Sequence, residues 1–175
     1  MKVIQLTKGY STIVDDEDYD FLMQWKWCAK DSSSKKQPHG QFYAVRGQLI
    51  NGKNKTIPMH RAVLERMLGR PLEKHEQGDH RKGNTLDNRR EKLRVSSHIQ
   101  NHRNAKRYSH NRSGYKGVGW AKREGKWRAR IYVMNKDHTL GFFDSIEDAA
   151  RAYDKAARSN FGEFARTNFQ EGDPQ

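Results

Sequence analysis

Three polar side chains in the middle of the chain have the types that metal-assisted hydrolysis requires. Asp79 and His80 are adjacent, and Asn101 follows Asp79 by 22 positions. An Asp carboxylate and an Asn amide oxygen can share a hard divalent cation such as Mg²⁺ or Mn²⁺. A neutral imidazole beside them could take a proton from water. Taken singly these are ordinary polar residues, and on spacing alone a structural role is the commoner outcome.

A second set of residues, in the last third of the chain, predicts a strand with one cationic face. Alternation in residues 125–132 puts an apolar set on one side, Trp127, Ala129 and Ile131. The other side carries Lys126, Arg128, Arg130 and Tyr132. This side is suited to a DNA major groove, where Arg pairs with guanine. The preceding strand is expected to extend it with Lys116, Trp120, Lys122 and Arg123. A solvated charged face is the alternative.

The charge balance also indicates a polyanionic partner. Of 175 residues, 34 are Lys or Arg and 21 are Asp or Glu, for a formal net charge of +13. The excess is largest in residues 59–109, with 13 basic and 6 acidic side chains, and it favours nucleic acid. No apolar run approaches the roughly 18 residues of a membrane span, so we expect a cytoplasmic protein without a membrane partner. The lone Cys28 is expected to pack as a small apolar residue.

The elements that position the first set can be read from periodicity. Two strand-like runs and a short helical turn open the chain, and an Asn51-Gly52 pair predicts a β-hairpin. A helical pattern then ends at Gly69. Its apolar face is predicted to contain Ala62, Val63, Met67 and Leu68. The order strand, polar loop, strand and helix follows, with Ser96-Ser97 as the helix cap.

The second set lies in a predicted sheet that packs on one helix. Turn signals at 124–125 and 135–136 separate three strand-length runs, as in an antiparallel meander. A helix is expected to begin after Ser145 and end at Gly162. Its apolar face consists mostly of small residues that allow close packing, namely Ala149, Ala150, Tyr153, Ala156 and Ala157.

Several motifs in residues 59–104 occur in a recognisable order. They are His60-Arg61, Asp79-His80, Gly83-Asn84, Asn88-Arg89, Leu93-Arg94 and Gln100-Asn101. This order resembles the HNH endonucleases, the ββα-metal nucleases common among phage and intron-encoded homing enzymes. The resemblance implies that Asp79 and Asn101 bind one Mg²⁺ or Mn²⁺ per active site. It implies that His80 is the general base and that a rigid loop carrying Asn88 orients it.

One position departs from the HNH pattern. Lys92 stands where the family usually has an Asn that pins the loop behind the catalytic His. Two outcomes stay open: Asn84 or Asn88 compensates, or the site is impaired. His60 is expected to be structural, with a phosphate contact as the alternative. The remaining histidines in this region are expected to be solvated or to touch phosphate, namely His75, His98, His102 and His110.

The motifs of residues 113–169 resemble a different family. They read SGYKGVGW, GKWRARI, LGFFDSIEDAARAYDKAA and FGEFARTNF. They are similar to the plant APETALA/ethylene-response-factor DNA-binding domain, which also occurs fused to HNH homing endonucleases. The resemblance implies three strands followed by one helix.

These features predict an α+β protein with three parts. They are a β-rich region at 1–58, a ββα-metal nuclease at 59–109, and a linker with a three-stranded antiparallel sheet packed on one helix at 110–175. The expected function is that of a metal-dependent endonuclease of the homing type on double-stranded DNA, without a small-molecule cofactor. A monomer would nick one strand, and a double-strand break would need a weak dimer or two sequential events. The alternatives are a catalytically weak DNA-binding regulator and an RNA-binding module that stacks bases on Trp120 and Tyr132.

Overall fold

The computed structural model describes residues 1–32, 41–105 and 111–169, which belong to two compact units. The first unit is Met1–Asn101 and the second is His102–Gln175. Both combine helices with antiparallel sheets, the α+β class that the sequence predicts. The boundary drawn after residue 58 falls inside the first unit, because the N-terminal strands share one apolar core with the central segment. Within the described ranges, no helix is both long and apolar enough to cross a membrane.

The first unit begins with a hairpin, a helix and a three-stranded sheet. Its elements in chain order are β1 (Lys2–Gln5), β2 (Ser11–Val14), α1 (Asp16–Leu22), β3 (Cys28–Asp31), β4 (Phe42–Ile50) and β5 (Lys53–Pro58). β1 pairs with β2, and the sheet has the order β3, β4, β5. The predicted hairpin is confirmed: Asn51 and Gly52 have φ of 51° and 71°. Left-handed φ at both positions is what a two-residue turn of this type needs.

The polar middle of the chain folds as a second hairpin followed by a helix. Its elements are α2 (Met59–Leu68), β6 (Glu76–His80), β7 (Leu93–Ser97) and α3 (His98–Asn104). β6 pairs antiparallel with β7, which confirms the predicted order of strand, loop, strand and helix. Ser97 caps α3 as predicted, because the Gln100 N–H donates to Ser97 Oγ while the Ser97 N–H donates to Gln100 Oε1.

One apolar core joins the elements of the first unit. Val14, Leu22 and Met59 have no exposed surface, and Leu93 has 2%. α2 places Met59, Ala62, Val63 and Leu64 in this core. The prediction for Met67 and Leu68 is wrong, since each is 42% exposed beyond the turn of α2 that faces the core. Cys28 is also exposed, because Trp27 and Ala29 on either side of it point inward.

The second unit is a three-stranded sheet with a helix across one face. Its elements are β8 (Val118–Ala121), β9 (Lys126–Val133), β10 (Lys136–Phe143) and α4 (Ile146–Phe161), and the sheet order is β10, β9, β8. Ser145 caps α4 as predicted, with its Oγ accepting from the Asp148 N–H at 3.2 Å. The predicted small-residue face is confirmed, because Ala149, Ala150 and Ala157 have no exposed surface.

Hydrogen bonds through the buried Asp154 carboxylate connect Asn168, near the end of the described residues, with Lys116 before β8. Asp154, 1% exposed, accepts from the backbone N–H groups of Asn168 and Phe169 at 2.8 and 2.9 Å. The Asn168 side chain in turn accepts from the Lys116 N–H and donates to the Lys116 carbonyl. Asp154 therefore has a structural role.

Gly117 should be intolerant of any side chain. Its φ is +78°, and a Cβ there would overlap the Tyr153 ring. We expect Gly117→Ala to lower the free energy of unfolding of the second unit by about 2 kcal/mol or more. Urea titration with amide hydrogen exchange of β9 measures this loss. Gly119→Ala is the matched control, because no atom lies within 4 Å of the added Cβ, and equal exchange in the two variants would contradict the prediction.

Candidate functional site

A chain of buried hydrogen bonds runs from the N-terminal hairpin to His80. Thr12 Oγ1 donates to the Leu86 carbonyl at 2.7 Å, and Asn88 Nδ2 donates to Thr12 Oγ1 at 2.7 Å. Asn88 Oδ1 lies 3.3 Å from His80 Nε2. Thr12 is completely buried, and Asn88 is 1% exposed. The loop that carries Asn88 is further held by β2, since the Asn88 N–H donates to the Ile13 carbonyl at 2.8 Å.

The hydrogen-bond chain has a fixed direction because its last acceptor is a backbone carbonyl. The Leu86 oxygen can only accept, so Thr12 donates its proton there and must accept from Asn88. The Asn88 amide oxygen therefore faces His80 and requires a proton on Nε2. A neutral His80 then has its lone pair on Nδ1, the nitrogen that can take up a proton.

The surroundings of His80 favour its neutral form. Burial lowers the pKa of His80, and the Asn88 hydrogen bond and the charges of Asp79 and Asp87 oppose this effect only in part. The His60 ring lies 5.0 Å from the His80 ring, and burial, together with the proximity of His80, lowers the pKa of His60 to about 3. A neutral imidazole is the state that a general base requires.

The His60 ring lies against Gly78 of β6, where the absence of a side chain leaves room for the imidazole. A Cβ at Gly78 would lie 2.5 Å from His60 Cδ2. The Tyr43 ring closes another side of this cluster, 5.9 Å from the His60 ring and 6.2 Å from the His80 ring. These contacts pack His60 beside His80, and its structural role stays a prediction.

Asp79 is buried with a cationic partner. It is 6% exposed and faces Arg94 across the β6–β7 pair. Arg94 Nε donates to Asp79 Oδ2 at 2.9 Å, and Arg94 Nη2 lies 2.7 Å from the same oxygen. Burying a carboxylate without such a partner would cost several kcal/mol. The second member of the Leu93-Arg94 motif is therefore the counter-ion of the proposed metal ligand.

Asn101 lies on the Asp79 side of β6. Its Nδ2 donates to Gln77 Oε1 at 3.1 Å. Alternation puts Gln77 and Asp79 on the same face of β6, whereas Gly78 and His80 face His60. Since the Asn101 amide nitrogen is engaged by Gln77, its oxygen is the atom that could bind a cation.

The donor set of Asp79 and Asn101 fits a hard cation. One carboxylate and one amide oxygen are the ligand types that Mg²⁺ uses when it keeps several waters. Among the residues that the structure describes, no three His, Cys, Asp or Glu side chains converge as a metal-binding group. Metal binding by Asp79 and Asn101 therefore stays a prediction.

Lys92, the departure from the HNH pattern, lies on the surface of the loop. Its Nζ pairs with Glu91 at 2.8 Å, and its carbonyl accepts from the Arg81 N–H. The loop is anchored instead by Asp18 of α1, which is completely buried. Arg90 Nε and Nη2 donate to its two oxygens at 2.7 and 2.8 Å. Asp18 and Thr12 are anchors that sequence reasoning missed, because they lie more than 70 residues before the loop.

The other predicted histidines that the structure describes lie at the surface. His98 and His102 are exposed on α3, and the His75 side chain is 75% exposed. His110 lies outside the described residues. In the described segments, no hydrogen bond joins His80 to Asn101. The structure thus brings His80 together with Asn88, and Asn101 with the strand that carries Asp79.

The cationic strand face of the second unit is confirmed as a geometric feature. Ala129 and Ile131 are buried against α4, and Tyr132 on the other face is 64% exposed. Lys126 pairs with Asp144 at 3.2 Å, and Arg130 pairs with Asp137 at 2.9 Å. Within the described part of the chain, Arg128 has no ion-pair partner. Phe142, 44% exposed, lies opposite Arg128 and was missed because a register shift between Thr139 and Gly141 interrupts the alternation of β10.

Two residues of the preceding segment do not extend this face. Trp120 pairs in register with Trp127, so it lies on the helix side of the sheet, although it is 52% exposed at the edge strand. Lys116 donates from Nζ to the carbonyls of Arg103 and Ala105 at 2.6 and 2.7 Å. Burial lowers the pKa of Lys116 to about 8. Lys122 and Arg123 are exposed in the turn that links β8 to β9.

A phage protein is among the relatives of this chain. No protein-family model matches the sequence. Protein 3.8 of Escherichia phage T7 is 33% identical over 96 residues, which span 55% of this chain and 78% of the phage protein. The chain belongs to the protein 3.8 family.

This member of the protein 3.8 family is also similar to plant transcription factors. The AP2-like ethylene-responsive transcription factor TOE2 of Arabidopsis thaliana is 44% identical over 61 residues, which cover 35% of this chain and 13% of TOE2. The ethylene-responsive transcription factor ERF084 of the same plant is 41% identical over 85 residues, or 45% of this chain and 32% of ERF084. The chain thus spans only a minor part of these plant proteins. The similarity supports a DNA-binding AP2-like domain.

The direction of the hydrogen-bond chain can be tested without an assay of enzymatic activity. We expect ¹⁵N NMR of the wild-type chain to show neutral His80 with its proton on Nε2. Thr12→Val removes the acceptor for Asn88, so the Asn88 amide can turn over and the His80 tautomers should mix. Ser11→Val is the matched control on the same strand, because Ser11 is exposed. An unchanged Nε2 tautomer in Thr12→Val would contradict this direction.

Proposed function

We propose that the chain binds double-stranded DNA at selected sites through the outer face of its three-stranded sheet, β8 to β10. The similarity to AP2-like transcription factors carries this proposal. The outer face offers Arg128, Arg130 and Lys126 beside the exposed rings of Tyr132 and Phe142. A ribbon of strands fits the major groove, where a planar guanidinium can pair with guanine O6 and N7.

The exposed ion pairs on this face do not oppose DNA binding. Lys126–Asp144 and Arg130–Asp137 are both solvent-accessible, with side chains at least 43% exposed. Pairs of this kind contribute about 0–1 kcal/mol in water. The transfer of these cations from a carboxylate to a phosphate or a base edge therefore costs little.

Removal of the two arginines should weaken site-selective binding. We expect Arg128→Ala with Arg130→Ala to raise the Kd for a duplex selected by the wild-type chain by roughly 10-fold or more, since each bidentate base contact contributes ~1–3 kcal/mol. The salt dependence should also flatten. A gel-shift titration at several salt concentrations measures both effects. Lys155→Ala with Arg158→Ala removes the same charge from α4 and is the control, and equal losses in both double variants would refute the assigned face.

We further propose that the first unit is a metal-dependent endonuclease site of the HNH type. The support is the directed hydrogen-bond chain that leaves the lone pair of a neutral His80 on Nδ1, together with the charge of the adjacent Asp79, which acts on His80. In this proposal His80 Nδ1 takes a proton from water. The water oxygen forms a bond to phosphorus, and the bond from phosphorus to the 3′ oxygen breaks.

The remaining residues would position the reactants. Asp79 and Asn101 are the residues that would hold Mg²⁺ or Mn²⁺, whose chemistry there is polarisation of the phosphate and stabilisation of the leaving oxygen. Asn88 orients the imidazole of His80, and Thr12 orients Asn88. This arrangement supplies the restraint that the family's Asn would give at Lys92. Arg94 balances the charge of Asp79.

The nuclease proposal predicts nicking of supercoiled plasmid with Mg²⁺ and none with EDTA. His80→Ala should slow nicking by ~10²-fold or more, because that is the usual contribution of a general base, while DNA binding stays near that of the wild type. His75→Ala is the control, since this side chain is 75% exposed. Because burial lowers the pKa of His80, nicking should persist below pH 6.5, where an unperturbed imidazole would be mostly protonated.

A DNA-binding regulator is the alternative outcome of the same experiment. The plant relatives are transcription factors by name, and their similarity favours this alternative. Binding without nicking by the wild-type chain would support the regulator. Wild-type rates of nicking by His80→Ala would overturn the assignment of the base.

A further inference from the structure

The hairpin of β4 and β5 extends beyond the sheet to which it belongs. β3 pairs with β4 only as far as Val45, whereas β5 pairs with β4 from Val45 to Ile50. Residues 46–50 and 53–57 therefore form a two-stranded segment, called here the β4–β5 ribbon. At about 3.4 Å per residue, it extends roughly 17 Å past the last pair of β3.

The β4–β5 ribbon carries its charges on one face. The register pairs Arg46 with Ile57, Gln48 with Lys55 and Ile50 with Lys53, and these six side chains share a face. The opposite face is uncharged and consists of Gly47, Leu49, Asn54 and Thr56. Alternation thus separates cationic from neutral side chains, as it does on β9.

The cations of the ribbon are not neutralised by nearby acids in sequence. Residues 41–64 contain no Asp or Glu. Lys53 and Lys55 are exposed, and in the described ranges neither has an ion-pair partner. Arg46 at the base of the ribbon lies over the Trp25 ring, 4.2 Å from its centroid. This stacking holds the guanidinium charge at the point where the ribbon leaves the sheet.

Among the described residues, the rest of the first unit leaves the tip of the β4–β5 ribbon largely uncovered. Leu49 is 68% exposed, and no atom lies within 4 Å of a Cβ built on Gly47. An isolated two-stranded hairpin is only marginally stable in water. The neutral face of the tip is thus uncovered by described residues, and on the cationic face Lys53 and Lys55 are exposed as well.

We infer that the β4–β5 ribbon is a second surface for double-stranded DNA, separate from the sheet of the second unit. Charge complementarity supports a polyanion, and a two-stranded ribbon has the width that a major groove admits. The two-residue turn at Asn51 and Gly52 keeps the tip narrow. This inference rests on the proposed function, because it assumes that the chain binds duplex DNA.

Salt-dependent binding by the full chain tests the inference. The variant is Lys53→Gln with Lys55→Gln. The ligand is a DNA duplex that the wild-type chain has selected, about 30 base pairs or three helical turns long. Fluorescence anisotropy at several salt concentrations should show about 10-fold weaker binding and a slope of log Kd on log salt reduced by ~1.8, because each phosphate contact contributes ~0.9. A hydroxyl-radical footprint should lose protection at one edge.

The matched control removes two other exposed lysines from the first unit. Lys8→Gln with Lys74→Gln lowers the net charge equally, and both residues lie outside the ribbon. The control should stay within about 2-fold of the wild type, as expected for charges that touch no phosphate. Circular dichroism melting checks that all variants fold, and Lys55→Gln alone should reduce the slope by ~0.9.

The outcomes separate this inference from the function on which it rests. Equal affinity and slope in the ribbon variant and the control would overturn the inference, while selective binding by the wild type would leave the proposed function standing. A wild-type chain that selects no duplex would overturn the proposed function itself. Equal dependence on Lys53 and Lys55 with an RNA duplex would overturn the assignment to DNA, because the narrow major groove of RNA does not admit a ribbon.

Discussion

The hydrogen bonds from Leu86 through Thr12 and Asn88 to His80 are the constraint on which the first unit depends. Every donor and acceptor in this chain is buried or part-buried, so any unmade bond would cost about 1–3 kcal/mol. These hydrogen bonds also run in one direction only, because the Leu86 carbonyl oxygen cannot donate. The backbone of the loop therefore determines which nitrogen of an imidazole six residues earlier in sequence carries the proton. Packing and proton chemistry are set by the same contacts.

Buried ion pairs connect helices, strands and loops that a larger apolar core would otherwise hold together. Asp18 receives Arg90 on both oxygens and lies 3.0 Å from Arg66, so one carboxylate connects α1, α2 and the loop before β7. Asp79 and Arg94 form a second such pair across β6 and β7. Buried pairs add little net stability compared with apolar residues, but the loss of one partner leaves a charge in the interior at a cost of ~3–5 kcal/mol. They specify which strands and loops can meet.

Local sequence patterns predict the turns, caps and strand faces that are set by residues close together in the sequence. The turn at Asn51-Gly52, the caps at Ser97 and Ser145 and the two faces of β9 follow from spacing within a few residues, and the structure has all of them. The anchors Thr12 and Asp18 have no local signal, because their partners lie 76 and 72 residues away. The sequence predicts Trp120 on the cationic face, and this is wrong because the register of β8 against β9 depends on where the turn begins. Lys116 was expected on the DNA face, whereas two carbonyl groups bind its ammonium.

β9 and the β4–β5 ribbon show how a strand can place several charges on one face. Alternation exposes every second side chain, so three cations on β9 and two lysines on β5 lie on one face while their neighbours remain free to pack or to stay neutral. On β9 the neighbours Ala129 and Ile131 are buried against a helix, which fixes the strand before any ligand arrives. Among the described residues no helix covers the tip of the β4–β5 ribbon, which is restrained at its base and turn. A partner would therefore meet a preorganised surface in the second unit, whereas the ribbon of the first unit would lose conformational freedom on binding, a cost that lowers affinity per contact.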